Sequence, residues 1–287
     1  MDLDAYFARI GYRGSRAPTL DTLHGIARAH VQTIPFENID VLLGRGIDLE
    51  IGALERKLVA ARRGGYCFEQ NTLLLEVLTA MGYAARPLSA RVRYQRPRDY
   101  TPARTHLLVR VELDESWLVD VGVGAMSPTA ALRLAEEGEQ ATPHEPRRLL
   151  REHGRIYHQV RFGEDWHDVA ELTLEEMPVI DRIVANWYTS AHPQSHFRSR
   201  LLVARATPGG RVTLLNDELS VRGADGTAEK VKVRSQAQLR GLLAEHFGIA
   251  VEDGVTVPYE FAHSTARSST RKESTSVDIF ELTMGGE

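Results

Sequence analysis

The spacing of the apolar residues changes near Ala84, and this change limits the folds that the chain can adopt. Before that point apolar residues recur at helical spacing, which predicts helices over residues 3–10, 19–34, 52–63 and 67–81. After it, apolar and polar residues alternate as in a half-buried strand. The alternation predicts strands over 106–113 and 117–123, joined by an Asp114-Glu115-Ser116 turn. The chain therefore begins as helices and continues as β-structure.

The remaining patterns divide the chain into parts. Weaker strand signals occur at 157–162, 200–206 and 211–215, and a last helix is predicted over 235–246. A chain of 287 residues exceeds the usual single core, which favours two or three packed subdomains. We predict an α+β fold with a helical bundle over 1–85, a β-rich part over 86–185, an α/β part over 186–257 and a tail over 258–287. The tail is too polar to bury a core, so its sequence predicts flexibility.

The composition bears on partners and location. The 35 basic and 39 acidic residues leave a net charge of -4, which provides no basic surface for nucleic acid or an anionic membrane. No apolar run approaches the roughly 18 residues of a membrane span, and the first residues lack the pattern of a secretory signal. A single cysteine excludes an internal disulfide. We expect a cytoplasmic protein that acts on small molecules, without nucleic acid or membrane partners.

The single cysteine, Cys67, lies where a helix is predicted to begin. The Gly64-Gly65 pair before it suits a sharp turn, and the apolar run that starts at Leu73 continues as a helix. Unpaired amide groups and the positive end of the helix dipole favour a thiolate here and can hold an oxyanion. A free cysteine is more often a small buried apolar residue, so its position alone leaves both roles open.

His106 and Asp120 are the candidate partners of the thiol. A histidine at a strand start is usually a polar-face residue, whereas Asp120 lies among strand apolar residues, where a carboxylate needs a hydrogen-bonded partner. If the three side chains converge, the imidazole can take the thiol proton and the carboxylate can orient the imidazole. Pairing the strands across the predicted turn sets Asp120 opposite Arg110, four residues from His106. Convergence then requires a bulge or a shifted register.

His192 and His196 have the spacing of two metal ligands on one helical face. Pro193 lies between them, and the chain has no H-E-x-x-H motif or cysteine set that would complete a site. The sequence therefore predicts no metal ion.

Five segments, in order, resemble those of the arylamine N-acetyltransferases. The segment R-G-G-Y-C-F-E-Q-N at 63–71 is similar to the nucleophile signature of that family, and P-F-E-N-I-D at 35–40 precedes it. The other three are T-H-L at 105–107, D-V-G at 120–122 and N-W-Y-T-S-A-H-P-Q-S-H-F at 186–197. An ordered set of this kind is far more specific than any one motif.

The resemblance implies that Cys67, His106 and Asp120 form a papain-like triad. It also implies a helical bundle, a central β-barrel and a C-terminal α/β lid, with the triad in a cleft that acetyl-CoA enters. Acetyl-CoA is then a co-substrate, and no cofactor is bound permanently. Cys67 would carry the acetyl group as a thioester and pass it to an arylamine, arylhydrazine or N-hydroxyarylamine. Such a ping-pong reaction is one of xenobiotic metabolism.

The same segments imply which residues contact the substrates. The expected acceptor contacts are Phe36, Phe68, Val123 and Phe197, and the expected coenzyme contacts are Gly124 and Ala125. Where the family has D-V-G-F-G-G, this chain has Val123 for the phenylalanine and Ala125 for the last glycine. We therefore expect a wider, less aromatic acceptor pocket and an altered approach of the CoA diphosphate.

Three other functions stay open from the sequence. A relative of this family can close an amide bond on a thioester-bound polyketide, and papain-like or transglutaminase-like enzymes let water resolve the acyl-enzyme. A catalytically silent binding module could keep the same cleft. Acetyl transfer is the preferred hypothesis because all three triad residue types are present with their flanking motifs.

Overall fold

The structure, a computed structural model, describes residues 1–258. Its first part is helical, as predicted, and consists of α1 (Leu3–Ile10), α2 (Leu20–Thr33), a short strand β1 (Phe36–Glu37), α3 (Ile39–Leu42), α4 (Ile51–Leu54) and α5 (Cys67–Ala80). The predicted helix over 52–63 is α4 together with a π-helical turn, Glu55–Ala60. The predicted tail lies outside the described residues from position 259 onward.

Side-chain caps and apolar packing explain these helices. The carboxylate of Asp2 accepts a hydrogen bond from the amide of Ala5 at the start of α1, and the hydroxyl of Thr19 caps α2 in the same way. Most of α5 is buried, and its apolar side chains share one core with α1 and α2. Because α5 is surrounded by other elements, its first residue is held rigidly.

The middle of the chain forms a seven-stranded antiparallel sheet in the order β5-β4-β3-β2-β8-β7-β6. Its strands are β2 (Ala84–Val92), β3 (His106–Glu112), β4 (Ser116–Val119), β5 (Leu132–Arg133), β6 (Arg147–Glu152), β7 (Arg155–Phe162) and β8 (Asp165–Glu176). The edge strands β5 and β6 contact each other, so the sheet is a nearly closed barrel. Since α5 packs on β2 and β3, its N-terminus lies against the barrel wall.

The register of β3 and β4 differs from the prediction. Glu112 pairs with Ser116 and Val109 pairs with Val119, so Ser116 belongs to the strand and not to the turn. Continuing this register sets Asp120 opposite Leu108, two residues from His106 and on the same face of the sheet. The expected pairing of Asp120 with Arg110 is therefore wrong, and no bulge between these strands is needed.

The last part of the described chain forms a second antiparallel sheet, in the order β1-β9-β10-β11-β12. Its strands after β1 are β9 (Leu202–Thr207), β10 (Gly210–Leu215), β11 (Glu218–Gly223) and β12 (Ala228–Lys232). The helix α6 (Val179–Ala191) connects the two sheets, and α7 (Gln236–Phe247) packs against the second. None of the helices within residues 1–258 is long and apolar enough to cross a membrane.

Two predicted subdomain boundaries fall inside regular elements. The boundary after residue 85 lies in β2, and the boundary after residue 185 lies in α6, which the sequence patterns did not predict. A helix has a continuous ladder of backbone hydrogen bonds, so the chain has no irregular linker at residue 185. In addition, β1 comes from the helical part but pairs with β9, Phe36 lying opposite Ala204. The helical part and the second sheet are therefore joined directly.

Candidate active site

Cys67 is the first residue of α5, as the sequence predicts. Two glycines bring the chain to this point through positions where a side chain has no room. A Cβ on Gly64 would lie 2.1 Å from the carbonyl oxygen of Pro35, and one on Gly65 would lie 2.7 Å from a carboxylate oxygen of Glu69. The Gly-Gly pair is thus required by close approach of the backbone to its neighbours.

An ionic cluster of five side chains lies beside the start of α5. It consists of Glu37, Asp40, Lys57, Arg63 and Glu69. Arg63 Nη2 lies 2.7 Å from Glu37 Oε1, and Lys57 Nζ lies 2.7 Å from both Asp40 Oδ2 and Glu69 Oε1. Burial lowers the pKa of Lys57, but the surrounding carboxylates outweigh this effect and raise it. The cluster ties the P-F-E-N segment to the turn before Cys67.

His106 and Asp120 form a buried pair beside the cysteine. His106 Nε2 lies 2.6 Å from Asp120 Oδ2, and each side chain is at most 2% exposed. Cys67 lies beside this pair, because its interaction with the imidazole raises the pKa of His106 and its Sγ lies 3.6 Å from the carbonyl oxygen of Thr105. Because Asp120 occupies Nε2, Nδ1 is the ring nitrogen left for the thiol. The structure therefore brings all three predicted residues together, on the register described above.

Each member of this pair stabilises the charged form of the other. Burial lowers the pKa of His106, but the charge of Asp120 and its hydrogen bond outweigh burial and raise the pKa to about 10. Burial raises the pKa of Asp120, but His106 and the hydrogen bonds to the carboxylate outweigh burial and lower it. The pair is an imidazolium and a carboxylate at neutral pH.

Asn71 fixes the position of the Asp120 carboxylate near Cys67, a role that the sequence analysis did not predict. It lies one turn after Cys67 on the same helix, and its Nδ2 donates to Asp120 Oδ1 at 2.9 Å and to the carbonyl oxygen of Leu107 at 2.6 Å. Its Oδ1 accepts from the amide of Val121 at 3.0 Å. The available signal was its position four residues after Cys67, which puts both side chains on one face of the predicted helix.

Gly122 lets the chain after β4 reach the nucleophile. Its amide donates to Asp120 Oδ1 at 2.9 Å. A Cβ at this position would lie 2.8 Å from the Cα of Cys67 and 2.7 Å from Nδ2 of Asn71. The D-V-G segment therefore needs glycine for close backbone contact, which a pattern of strand alternation does not reveal.

A cavity of about 460 Å³ opens beside Cys67 and His106. Of the expected substrate and coenzyme contacts, five line it: Phe36, Val123, Phe197, Gly124 and Ala125. Phe68 is the exception, because its fully buried ring packs in an apolar cluster with Tyr66 and Leu107 and does not line the cavity. The structure does not bring Phe68 to the cavity wall.

Two buried arginines hold the cavity wall at residues 123–127. Arg147 Nη1 donates to the carbonyl oxygen of Met126 at 2.8 Å, and Arg211 Nη2 donates to that of Ser127 at 3.0 Å. Both guanidinium groups pair with Glu145. Burial raises the pKa of Glu145, but Arg211 and Arg147 outweigh burial and lower it strongly. The wall is thus fixed from both sheets of the protein.

Known proteins share both the sequence and this arrangement. A family model described as N-acetyltransferase matches residues 19–256. The arylamine N-acetyltransferase of Mycobacterium tuberculosis is 43% identical over 258 residues, covering 88% of this chain and 91% of that protein. This chain belongs to the arylamine N-acetyltransferase family. The resemblance inferred from the five segments is confirmed.

Solved structures of arylamine N-acetyltransferases have the same fold. That of the M. tuberculosis protein has a TM-score of 0.84 at 43% identity and covers 86% of this chain and 94% of its own. That of the Mycobacterium marinum protein in complex with CoA has a TM-score of 0.83 at 39% identity, covering 86% and 93%. The mixed helical and barrel-like architecture described above is therefore that of the family.

The family segments contact one another across the structure. Asn38 Nδ2 donates to the carbonyl oxygens of Phe197 and Arg200, both at 2.7 Å. The hydroxyl of Tyr66 donates to the side chain of Asn186. These bonds join the first, second and last of the five segments directly to one another in this chain.

The two histidines with metal-ligand spacing have other neighbours. The ring of His192 stacks on Tyr188 with centroids 4.6 Å apart, and His196 contacts Phe197 and lines the cavity. Among residues 1–258, no group of three His, Cys, Asp or Glu side chains is placed to hold a metal ion.

Proposed function

We propose that this chain transfers an acetyl group from acetyl-CoA to an arylamine, arylhydrazine or N-hydroxyarylamine through a thioester on Cys67. The observation that carries the proposal is that Cys67 and His106 line one cavity side by side, with Asp120 paired to His106 behind them. Family membership supports the reaction, and the M. marinum relative was solved with CoA bound. Acetyl-CoA is thus a co-substrate.

The first half-reaction acetylates the enzyme. The Cys67 thiolate attacks the thioester carbonyl of acetyl-CoA, and the new bond between Sγ and carbon gives a tetrahedral oxyanion. Amide groups of the first turn of α5 lack partners within the helix and can donate to this oxygen. When the intermediate collapses, the CoA sulfur leaves and takes the proton of the His106 imidazolium.

The second half-reaction frees the enzyme. The amine attacks acetyl-Cys67, and neutral His106 takes the proton that the amine must lose. Sγ then leaves as a thiolate beside the restored imidazolium. Asp120 keeps the ring oriented through both steps and stabilises its charged form, while Asn71 and Gly122 hold the carboxylate.

The cavity walls suggest how the substrates are held. We assign acceptor contacts to Phe36, Val123 and Phe197, and coenzyme contacts to Gly124 and Ala125, since all five line the cavity. Val123 leaves more space than the phenylalanine expected in the family, so the acceptor pocket accepts bulkier rings. Phe68 supports this wall from behind.

We also propose the family's division into a helical bundle, a β-barrel and an α/β lid for this chain. The two sheets and their connection by α6 support this division. A cytoplasmic location is proposed as well, because a reducing compartment keeps a nucleophilic thiol free.

Mass spectrometry tests the proposal directly. Incubation with acetyl-CoA alone should add one acetyl group to Cys67, and addition of 4-anisidine should remove that group and yield the acetylated amine. The Cys67→Ala variant, with an unchanged circular dichroism spectrum, should release no CoA. CoA release without amine acetylation would instead indicate hydrolysis, and an unacetylated but iodoacetamide-reactive Cys67 would indicate a silent binding module.

A further inference from the structure

The helix α6 carries its large apolar side chains on its outer face. Its buried face has the smaller or polar residues Ala185, Asn186 and Thr189. A helix normally turns its apolar face toward a core, and a contiguous exposed apolar patch marks a contact surface. Five side chains, each between 53% and 62% exposed, form the surface that we call the α6 patch: Val179, Ile180, Ile183, Val184 and Trp187.

A recess adjoins the α6 patch. It is a cavity of about 320 Å³, and Val184 and Ala185 of the helix form part of its wall. One basic side chain, Arg104, and three acidic ones also line it: Glu175, Glu176 and Asp181. A segment that covers this surface should therefore be apolar where it meets the helix and basic where it passes the recess.

The chain contains a segment of this kind near its C-terminal end. Residues 277–284 have the sequence V-D-I-F-E-L-T-M, in which five of the eight side chains are large and apolar. Over residues 262–276, by contrast, no apolar side chain is larger than alanine. Arg271 and Lys272 come shortly before the apolar segment and suit the acidic recess. The segment lies outside the described residues and beyond residue 256, where the match to the family model ends.

The chain is long enough for this segment to reach the α6 patch. Ile39 packs in the same apolar core as Val257, and Asn186 Nδ2 of α6 donates to the carbonyl oxygen of Ile47 at 3.0 Å. The chain from Ile39 to Ile47 spans at most about 30 Å. The chain from Pro258 to Val277 can extend over as much as about 60 Å. The patch is therefore within reach of residues 277–284.

We propose that residues 277–284 of this chain bind the α6 patch and cover it. A tethered segment has an effective concentration in the millimolar range, so a modest apolar contact is sufficient to hold it. A second copy of the chain fits less well. Five half-exposed side chains offer roughly 500 Å², whereas a stable interface buries about 800 Å² on each partner.

Acrylamide quenching of Trp187 fluorescence tests this inference on the full chain. Trp187 lies in the patch, so a bound segment shields its ring from the quencher. Loss of one buried phenylalanine lowers the ratio of covered to open molecules roughly tenfold or more, so Phe280→Asp should raise the quenching constant of Trp187 at least about twofold. Thr275→Asp, which adds the same charge outside the segment, should leave it unchanged. The same measurements on Trp187→Phe proteins give the contribution of the other two tryptophans.

A disulfide between the segment and the helix tests the place of binding. A Cys67→Ala background has no other cysteine. In it, the pair Ile183→Cys and Ile279→Cys should form a disulfide within one chain under mild oxidation. The control pair joins Ile279→Cys to Glu229→Cys, an exposed position on the edge strand β12. Its disulfide should form at least about tenfold more slowly, because that position lies outside the proposed contact.

The other outcomes overturn the inference and are distinguishable. A quenching constant of Trp187 that Phe280→Asp does not change would show that residues 277–284 do not shield the patch. Shielding that increases with protein concentration, or disulfides that link two chains, would show that a second copy covers it. Equal rates for the two cysteine pairs would show that the segment has no preferred place on the surface.

Discussion

Two buried groups of charges contact the first turn of α5, and they differ in what lies beside them. In the His106–Asp120 pair, His106 lies beside Cys67 and lines the cavity with it. The ionic cluster lies beside the same turn, and none of its five members lines the cavity. Both groups contain carboxylates that are almost fully buried, since the side chain of Asp120 is 2% exposed and that of Glu37 is 0% exposed.

The comparison teaches that burial of charge does not by itself mark a catalytic residue. A carboxylate of the ionic cluster is balanced by Lys57 or Arg63 and holds two chain segments together. Asp120 is balanced by a histidine whose other nitrogen faces a nucleophile. A partner that lines the substrate cavity beside the nucleophile, and not the depth of burial, separates the two roles.

The Asp120→Asn variant should show the difference between the two groups most clearly, as a loss of catalytic rate. An amide can donate to Nε2 of His106 and thereby keep the ring proton on Nδ1, which then cannot accept a proton from the thiol or the amine. We expect kcat/KM for acetyl transfer to fall roughly 10⁴-fold, as for the wrong tautomer in a serine protease. Steady-state assays of CoA release would measure it.

The matched control is Asp40→Asn, which makes the same chemical change in the ionic cluster. It should lower thermal stability and leave the rate per folded molecule unchanged. A rate loss in Asp40→Asn as large as that in Asp120→Asn would contradict the distinction between the two groups.

Glu37→Gln should have the opposite signature, a loss of stability without a loss of chemistry. The change removes the carboxylate nearest to Arg63, a side chain that is 12% exposed, and leaves it only the longer contact with Asp40 at 3.4 Å. Breaking one partner of a buried pair costs about 3–5 kcal/mol of unfolding free energy, measured by urea denaturation. The exposed Glu252→Gln, which also loses an arginine partner, should cost less than about 1 kcal/mol. Similar losses in both variants would show that the cluster has no special role.

The pH dependence of stability is the smallest of the expected effects. The pKa of His106 rises from its ordinary value of 6.5 to about 10 on folding. Its contribution to the unfolding free energy is therefore fully present below about pH 6.5. That contribution is lost as the pH rises through 10. Between pH 7 and pH 9 the unfolding free energy should fall by on the order of 2 kcal/mol from this group.

Asp120→Asn removes the charge that raises the pKa of His106, so the same measurement on this variant is the control. Its unfolding free energy should change less over that pH range. An identical alkaline slope in both proteins would mean that another group causes the dependence.

The parts of the active site that depend on patterns among neighbouring residues could be predicted from the sequence. The helix start at Cys67 follows from a glycine pair and an apolar run, and the structure has it at that residue. The strand of His106 follows from simple alternation. The pairing of β3 with β4 could not be predicted, because one residue assigned to the turn shifts the register by two positions.

The sequence by itself determined the residue types of the triad, the helical and strand periods around them and the family, because these depend on neighbours along the chain. Tertiary structure decided which side chains meet. The places of Asn71 beside Asp120 and of Phe68 away from the cavity depend on distances between residues far apart in the sequence. Such distances result from packing of whole elements, which no local pattern encodes.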